Sequence, residues 1–168
     1  MGCRGVLFAL EATDAERLLA AGSEPGASDT GVMRIVETIE EGWDVSSLME
    51  LDKSWDILHR CLTDGSLSYD GGEYPLSHAV LGGRLLHEGD DYIVSYVDTA
   101  EVRDIARALA PLDGEWLRER FAALTFSEYR GSGGEDDIGY ALAYLPDLRD
   151  FYGEAARAGR AAIFTVDQ

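Results

Sequence analysis

Arg84-Leu85-Leu86-His87, then Glu88-Gly89-Asp90-Asp91, then Tyr92-Ile93-Val94-Ser95-Tyr96-Val97 is the stretch that decides the fold. Two runs rich in branched and aromatic side chains flank four residues with turn chemistry, which is the pattern of a β-hairpin. Two strands adjacent in sequence break any regular βαβ alternation, so the chain reads as α+β. Downstream, Asp98 and Glu101 form a capping box. It starts a helix whose apolar stripe is Val102, Ile105, Ala106 and Leu109, and Pro111 stops it. Trp116, Leu117, Phe121 and Leu124 mark a further short helix. Ile138, Leu142, Leu145 and Leu148 mark the last long one, which Pro146 should kink or split. Residues 161–166 read as a final strand.

Upstream, Gly82-Gly83 closes a short helical segment, residues 76–81, opened by Pro75. A Gly- and Tyr-rich loop precedes it. Before that loop, Asp52 is the expected N-cap of a helix over 53–63 whose core face is Trp55, Leu58 and Leu62. Trp43 and Val45 begin an irregular stretch. Val32, Ile35, Val36 and Ile39 predict a helix over 30–41, and residues 22–30 read as an exposed loop. Thr13 and Glu16 look like a capping box for a short helix ending near Ala21. Val6 to Leu10 is a buried strand. A strand at each end predicts one small mixed sheet that includes both terminal strands, packed with several short helices in a single domain, residues 1–168.

The chain has 168 residues, 46% of them hydrophobic. A chain of this length can bury roughly 70% of its unfolded surface. It carries 14 basic and 32 acidic side chains, a net charge of −18. Residues 1–84 hold 6 basic and 15 acidic groups and residues 85–168 hold 8 and 17, so each half stands at −9. A field spread this evenly repels nucleic-acid phosphates and anionic lipid and attracts a basic protein. Neither nucleic acid nor membrane is therefore an expected partner. Cys3 and Cys61 are too few and too far apart for a disulfide framework. With no CxxC pair and only His59, His78 and His87, neither a zinc site nor a cofactor is expected. Nothing approaches 18 consecutive apolar residues, and the start has no long apolar run, so cytoplasm is the expected location.

No motif identifies a reaction. Gly131-Ser132-Gly133-Gly134 lacks the Lys-Ser/Thr of a phosphate loop. Asp136 and Asp137 read as first-turn acids favoured by the helix dipole. Polar chemistry is densest in residues 52–63, where Trp55 and His59 fall one helical turn apart. Lys53, Trp55, His59, Tyr69 and His78 are the candidate ligand-binding residues. Two readings of His59 stand open. It could bind or transfer protons in a small pocket, or it could pack beside Trp55 with its nitrogens on backbone groups. Ser77 and His78 are sequence neighbours, which on a helix point about 100° apart, and no third group is evident to orient His78.

Several segments in order resemble the YfbM-like family of small bacterial proteins. They are Leu51-Asp52-Lys53-Ser54-Trp55-Asp56-Ile57-Leu58-His59, Pro75-Leu76-Ser77-His78-Ala79-Val80-Leu81-Gly82-Gly83, Glu101-Val102, and Phe151-Tyr152 before Ala155-Ala156. The chain departs from the family pattern at Asp64, where Gly is expected, and at Pro146. The resemblance implies a compact α+β domain and assigns no reaction, cofactor or catalytic residue. The expected function is that of an uncharacterised acidic domain acting as a non-catalytic protein-interaction partner, of inhibitor or immunity type by analogy. The alternative is a small enzyme or small-molecule binder with a pocket around His59 and Trp55.

Overall fold

The computed structural model describes residues 3–23, 30–126 and 128–167. Strand β1 is Gly5–Leu10, followed by helices α1 (Ala12–Ser23) and α2 (Thr30–Gly42) and strand β2 (Leu48–Asp52). Helix α3 (Ser54–Leu62) leads through a loop and a 3-10 turn (Leu76–His78) to β3 (Arg84–Glu88) and β4 (Tyr92–Val97). Helices α4 (Thr99–Leu109), α5 (Gly114–Ala123) and α6 (Glu135–Arg157) precede the last strand, β5 (Ala161–Asp167).

The sheet order is β2-β1-β5-β4-β3. Both terminal strands lie in it, as the α+β assignment required. Every pairing is antiparallel, however, where a mixed sheet was expected. The reason lies at residues 158–160, where the chain reverses after α6, so β5 enters against both neighbours. It pairs Leu7 with Phe164 on one side and Ser95 with Phe164 on the other.

Strand alternation sorts side chains into two cores. Leu7, Ile93, Val97, Ala162, Phe164 and Val166 face one layer, built by α3, α4, α5 and α6. Phe8, Leu10, Val94, Tyr96 and Ile163 face the other, built by α1 and α2. A strand buried on both faces reads as a near-continuous apolar run, and residues 161–166 of β5, apolar but for Thr165, are all buried.

Four local expectations change. The stretch after Val45 is not wholly irregular: Met49 and Leu51 point inward and Glu50 outward, making β2 an edge strand. Helix α1 begins at Ala12, so Thr13 lies inside its first turn and the Ala15 amide bonds the Glu11 carbonyl at 3.0 Å. Asp52 is not the N-cap of α3. It takes a left-handed backbone (φ 47°) to turn the chain out of β2, and the cap position falls to Lys53, without a side-chain bond. Helix α6 continues unbroken for 23 residues through Pro146, which therefore does not split it. That residue is exposed, and water can satisfy the carbonyl its missing N–H leaves free. The capping box of Asp98 and Glu101 forms as read. Of the loop expected over 22–30, residues 24–29 lie outside the described residues. Among the described residues, no helix is long and apolar enough to cross a membrane.

Gly5 shows how closely α3 is seated on the sheet. A Cβ there would lie 2.7 Å from Phe164 Cε2 and 2.9 Å from Trp55 Cβ. Replacing Gly5 by Ala is expected to lower unfolding stability by about 1–3 kcal/mol through overpacking, measured by urea denaturation against wild type.

Candidate functional site

Helix α3 is polar in sequence yet enclosed on nearly every side, with eight of its nine residues buried. Each buried polar group therefore needs a partner. The Trp55 indole N–H donates to the Cys3 carbonyl at 3.1 Å, and its ring packs against Phe164 with centroids 5.6 Å apart. This contact ties the chain ahead of β1 to α3.

His59 has no exposed surface. Its Nε2 lies 2.9 Å from the Ser68 carbonyl, and its Nδ1 accepts the Leu81 amide at 3.4 Å. A carbonyl partner requires N–H and an amide partner requires a lone pair, so the ring is the neutral Nε2–H tautomer. Burial pushes its pKa below the ordinary value, outweighing the opposing Ser68 carbonyl. Both nitrogens bond backbone groups, as the second of the two sequence-based possibilities held. One imidazole thus joins the 64–74 loop to the turn before β3.

Two arginines close the C-terminal end of α3, where carbonyls lack helical partners. Arg60 donates from Nε to Asp56 Oδ1 at 2.5 Å and from Nη1 to the Gly65 carbonyl at 3.1 Å, and its guanidinium lies 5.3 Å from the Tyr129 ring centre. Arg120 of α5 donates to the Cys61 carbonyl at 3.1 Å and to the Thr63 carbonyl. The Cys61 thiol is pushed up to about 12 by burial, which leaves it protonated and unreactive.

The loop held in this way faces solvent on its other side. Asp64 accepts the Ser66 amide at 3.0 Å and the Ser66 hydroxyl at 2.5 Å, setting the loop's first turn. Leu67 and Tyr74 are 41% and 50% exposed. The Tyr74 hydroxyl donates to Asp104 at 2.7 Å, which pushes the phenol up to about 12. The Tyr69 hydroxyl lies 3.4 Å from Glu88. His78 Nδ1 meets Glu101 Oε1 at 3.0 Å, and its ring stands edge-on to Tyr74 at 5.1 Å. The second Glu101 oxygen accepts the Asp98 amide at 2.7 Å, so one carboxylate both caps α4 and orients the imidazole.

The five candidates from the sequence are therefore dispersed. Lys53 is exposed at the head of α3, while Trp55 and His59 are sealed and have their polar atoms engaged. Tyr69 and His78 reach the surface through the loop and the 3-10 turn. Glu101 is the group the sequence did not offer His78. Its position in Asp98-x-x-Glu101 explained only one of its two oxygens.

Because folding lowers the pKa of His59, the unfolded chain holds the extra proton in acid. This contribution to stability is complete above the ordinary value of 6.5 and declines as pH falls below it. Replacing His59 by Phe should remove that part of the acid sensitivity. It should also cost about 1–3 kcal/mol, because the Ser68 carbonyl and Leu81 amide lose their partner. Urea unfolding of both proteins at pH 7.5 and 5.5 measures both effects.

Protein YfbM of Escherichia coli (strain K12) is 27% identical over 128 residues, spanning 76% of this chain and 71% of that protein. The crystal structure of YfbM from Escherichia coli, described as a protein of unknown function, superposes with a TM-score of 0.68 and 23% identity. The match covers 97% of this chain and 99% of that one, and at this identity it establishes the fold. The family profile described as "Domain of unknown function (DUF1877)" matches residues 1–165, and the chain belongs to this YfbM-like family.

Proposed function

We propose that this chain is a protein-interaction domain that docks a basic partner on the surface formed by the 64–74 loop and the start of α4. The observation that carries this reading is the company Tyr74 keeps. An aromatic ring half exposed to solvent sits among the carboxylates of Asp98, Glu101 and Asp104. Asp64, Asp70 and Glu73 lie in the same loop, and residues 64–78 contain no Lys or Arg. Apolar anchors ringed by charge of one sign suit a partner with a complementary basic rim. Arg107, 3.5 Å from Asp104, offsets only part of that charge.

Rigidity supports the same reading. His59 and Arg60 hold the loop from beneath and Asp64 fixes its first turn, so little ordering entropy is lost on docking. The finer assignment is an inhibitor- or immunity-type role, in which an acidic domain covers the working surface of a basic protein. Free thiols at Cys3 and Cys61 fit a cytoplasmic setting. A pocket around His59 and Trp55 has less support, because both side chains spend their polar atoms inside the fold. His78, oriented by Glu101, is the imidazole that a small-molecule reading would need instead.

The test is capture by the immobilised chain at about 50 and 500 mM salt, where screening separates charge from apolar contact. A stoichiometric basic protein retained at low salt, weakened at high salt and lost with Tyr74→Ala is the expected result. Absence of any stoichiometric partner at both salt concentrations would overturn the proposal.

A further inference from the structure

At the opposite end of α3 lies a second arrangement with different chemistry. Asp52, in its left-handed conformation, places its carboxylate beside β1 and α6. Oδ2 accepts the Tyr140 hydroxyl at 2.7 Å. Among the described residues Oδ1 has no hydrogen-bond partner and is itself covered, although the Asp52 side chain as a whole is 40% exposed. Such an atom is costly, and few are found in folded proteins. Arg4 is a cation beside it, with Nε 3.6 Å away, beyond hydrogen-bond range, on a side chain 73% exposed. The Arg4 amide is itself fixed by Asp167 at 2.8 Å, so the backbone is anchored while the side chain is loose.

Around this pair opens a cavity of about 230 Å³ lined by Arg4, Gly5, Val6, Glu50, Asp52 and Tyr144. Tyr144 stands edge-on to Tyr140, ring centres 5.2 Å apart, giving the carboxylates an aromatic wall. Two carboxylates thus face one cation that covers Asp52 without bonding to it.

We propose that this cavity binds a guanidinium group and that Arg4 is its intramolecular place-holder. A planar guanidinium is the cation whose donors match a carboxylate and whose face stacks on an aromatic ring. The Arg4 contact shows that such a group reaches the carboxylate, and its 3.6 Å separation shows that the resident one does not complete the bond. An incoming guanidinium displaces the Arg4 side chain, donates to Asp52 Oδ1, and lies between Glu50 and Tyr144. The group could arrive on a free alkylguanidine or on an arginine side chain of another protein. This site is separate from the 64–74 surface and does not depend on the function proposed for it.

Titration with agmatine and, separately, with acetyl-Gly-Arg-Gly-amide distinguishes the two sources, read by NMR shifts of residues 4–6, 50–52 and 144. Saturable shifts confined to those residues are expected. Arg4→Ala should tighten binding several-fold by removing the internal competitor. Asp52→Asn should weaken it at least tenfold. Asn tolerates a left-handed backbone, so this variant keeps the fold, which an unchanged amide spectrum elsewhere checks. Binding of agmatine alone assigns a free alkylguanidine, and binding of both assigns an arginine side chain. The proposal fails if neither ligand shifts these residues in wild type or Arg4→Ala, if Arg4→Ala weakens binding, or if Asp52→Asn binds as well as wild type.

Discussion

The insertion of β5 between β1 and β4 is the constraint on which the rest of the structure depends. Without it, β1 with β2 and β3 with β4 are separate two-stranded ribbons, and such ribbons are marginal in water. With it, they become one five-stranded sheet carrying helices on both faces. The strand that closes the sheet is the last of the five in chain order, and its partner β1 is the first. The pairing of Gly5 with Val166 therefore spans almost the whole chain. Forming this non-local contact requires closing a long loop.

The sheet's closure creates the need that α3 meets. Trp55 packs on Phe164 of β5 and bonds the Cys3 carbonyl, so the helix locks the strand's position and the chain entry together. Once α3 is enclosed, its polar side chains can no longer turn to water. His59 and Arg60 become internal fasteners that hold the 64–74 loop and the turn before β3, while the Thr63 hydroxyl donates back to the His59 carbonyl at the helix end. A stretch that reads as chemistry in one dimension serves as carpentry in three. The surface consequence is a firmly held acidic loop carrying Leu67 and Tyr74. A partner could use that loop without first ordering it.

Local signals with a fixed period or a fixed offset were legible. The hairpin at residues 84–97, the α2 stripe of Val32, Ile35 and Val36, and the Asp98–Glu101 box all formed where spacing placed them. Strand β2 escaped because five residues with only Met49 and Leu51 facing inward carry little alternation signal beside the exposed Trp43 and Val45. The role of Asp52 escaped for a different reason. An aspartate before a helix is the commonest of caps, and nothing in the sequence announces a left-handed turn. Of the candidate ligand-binding residues, Tyr69 and His78 lie partly exposed, with Glu88 and Glu101 as their polar partners. The partner of His78 was already known as a cap, and its second oxygen had no visible task.

The sequence by itself determined the α+β class, the negative charge shared equally by both halves of the chain, and the family. Each follows from composition, short-range periodicity or motif order. Only the tertiary structure decided that the sheet is antiparallel throughout, that His59 is a neutral internal link, and that Asp52 meets Arg4 at the edge of a small cavity. Strand direction and burial depend on contacts between residues far apart in the chain. The protonation of an imidazole depends on the groups that enclose it, and a helical pattern records which face a residue occupies but not what covers that face.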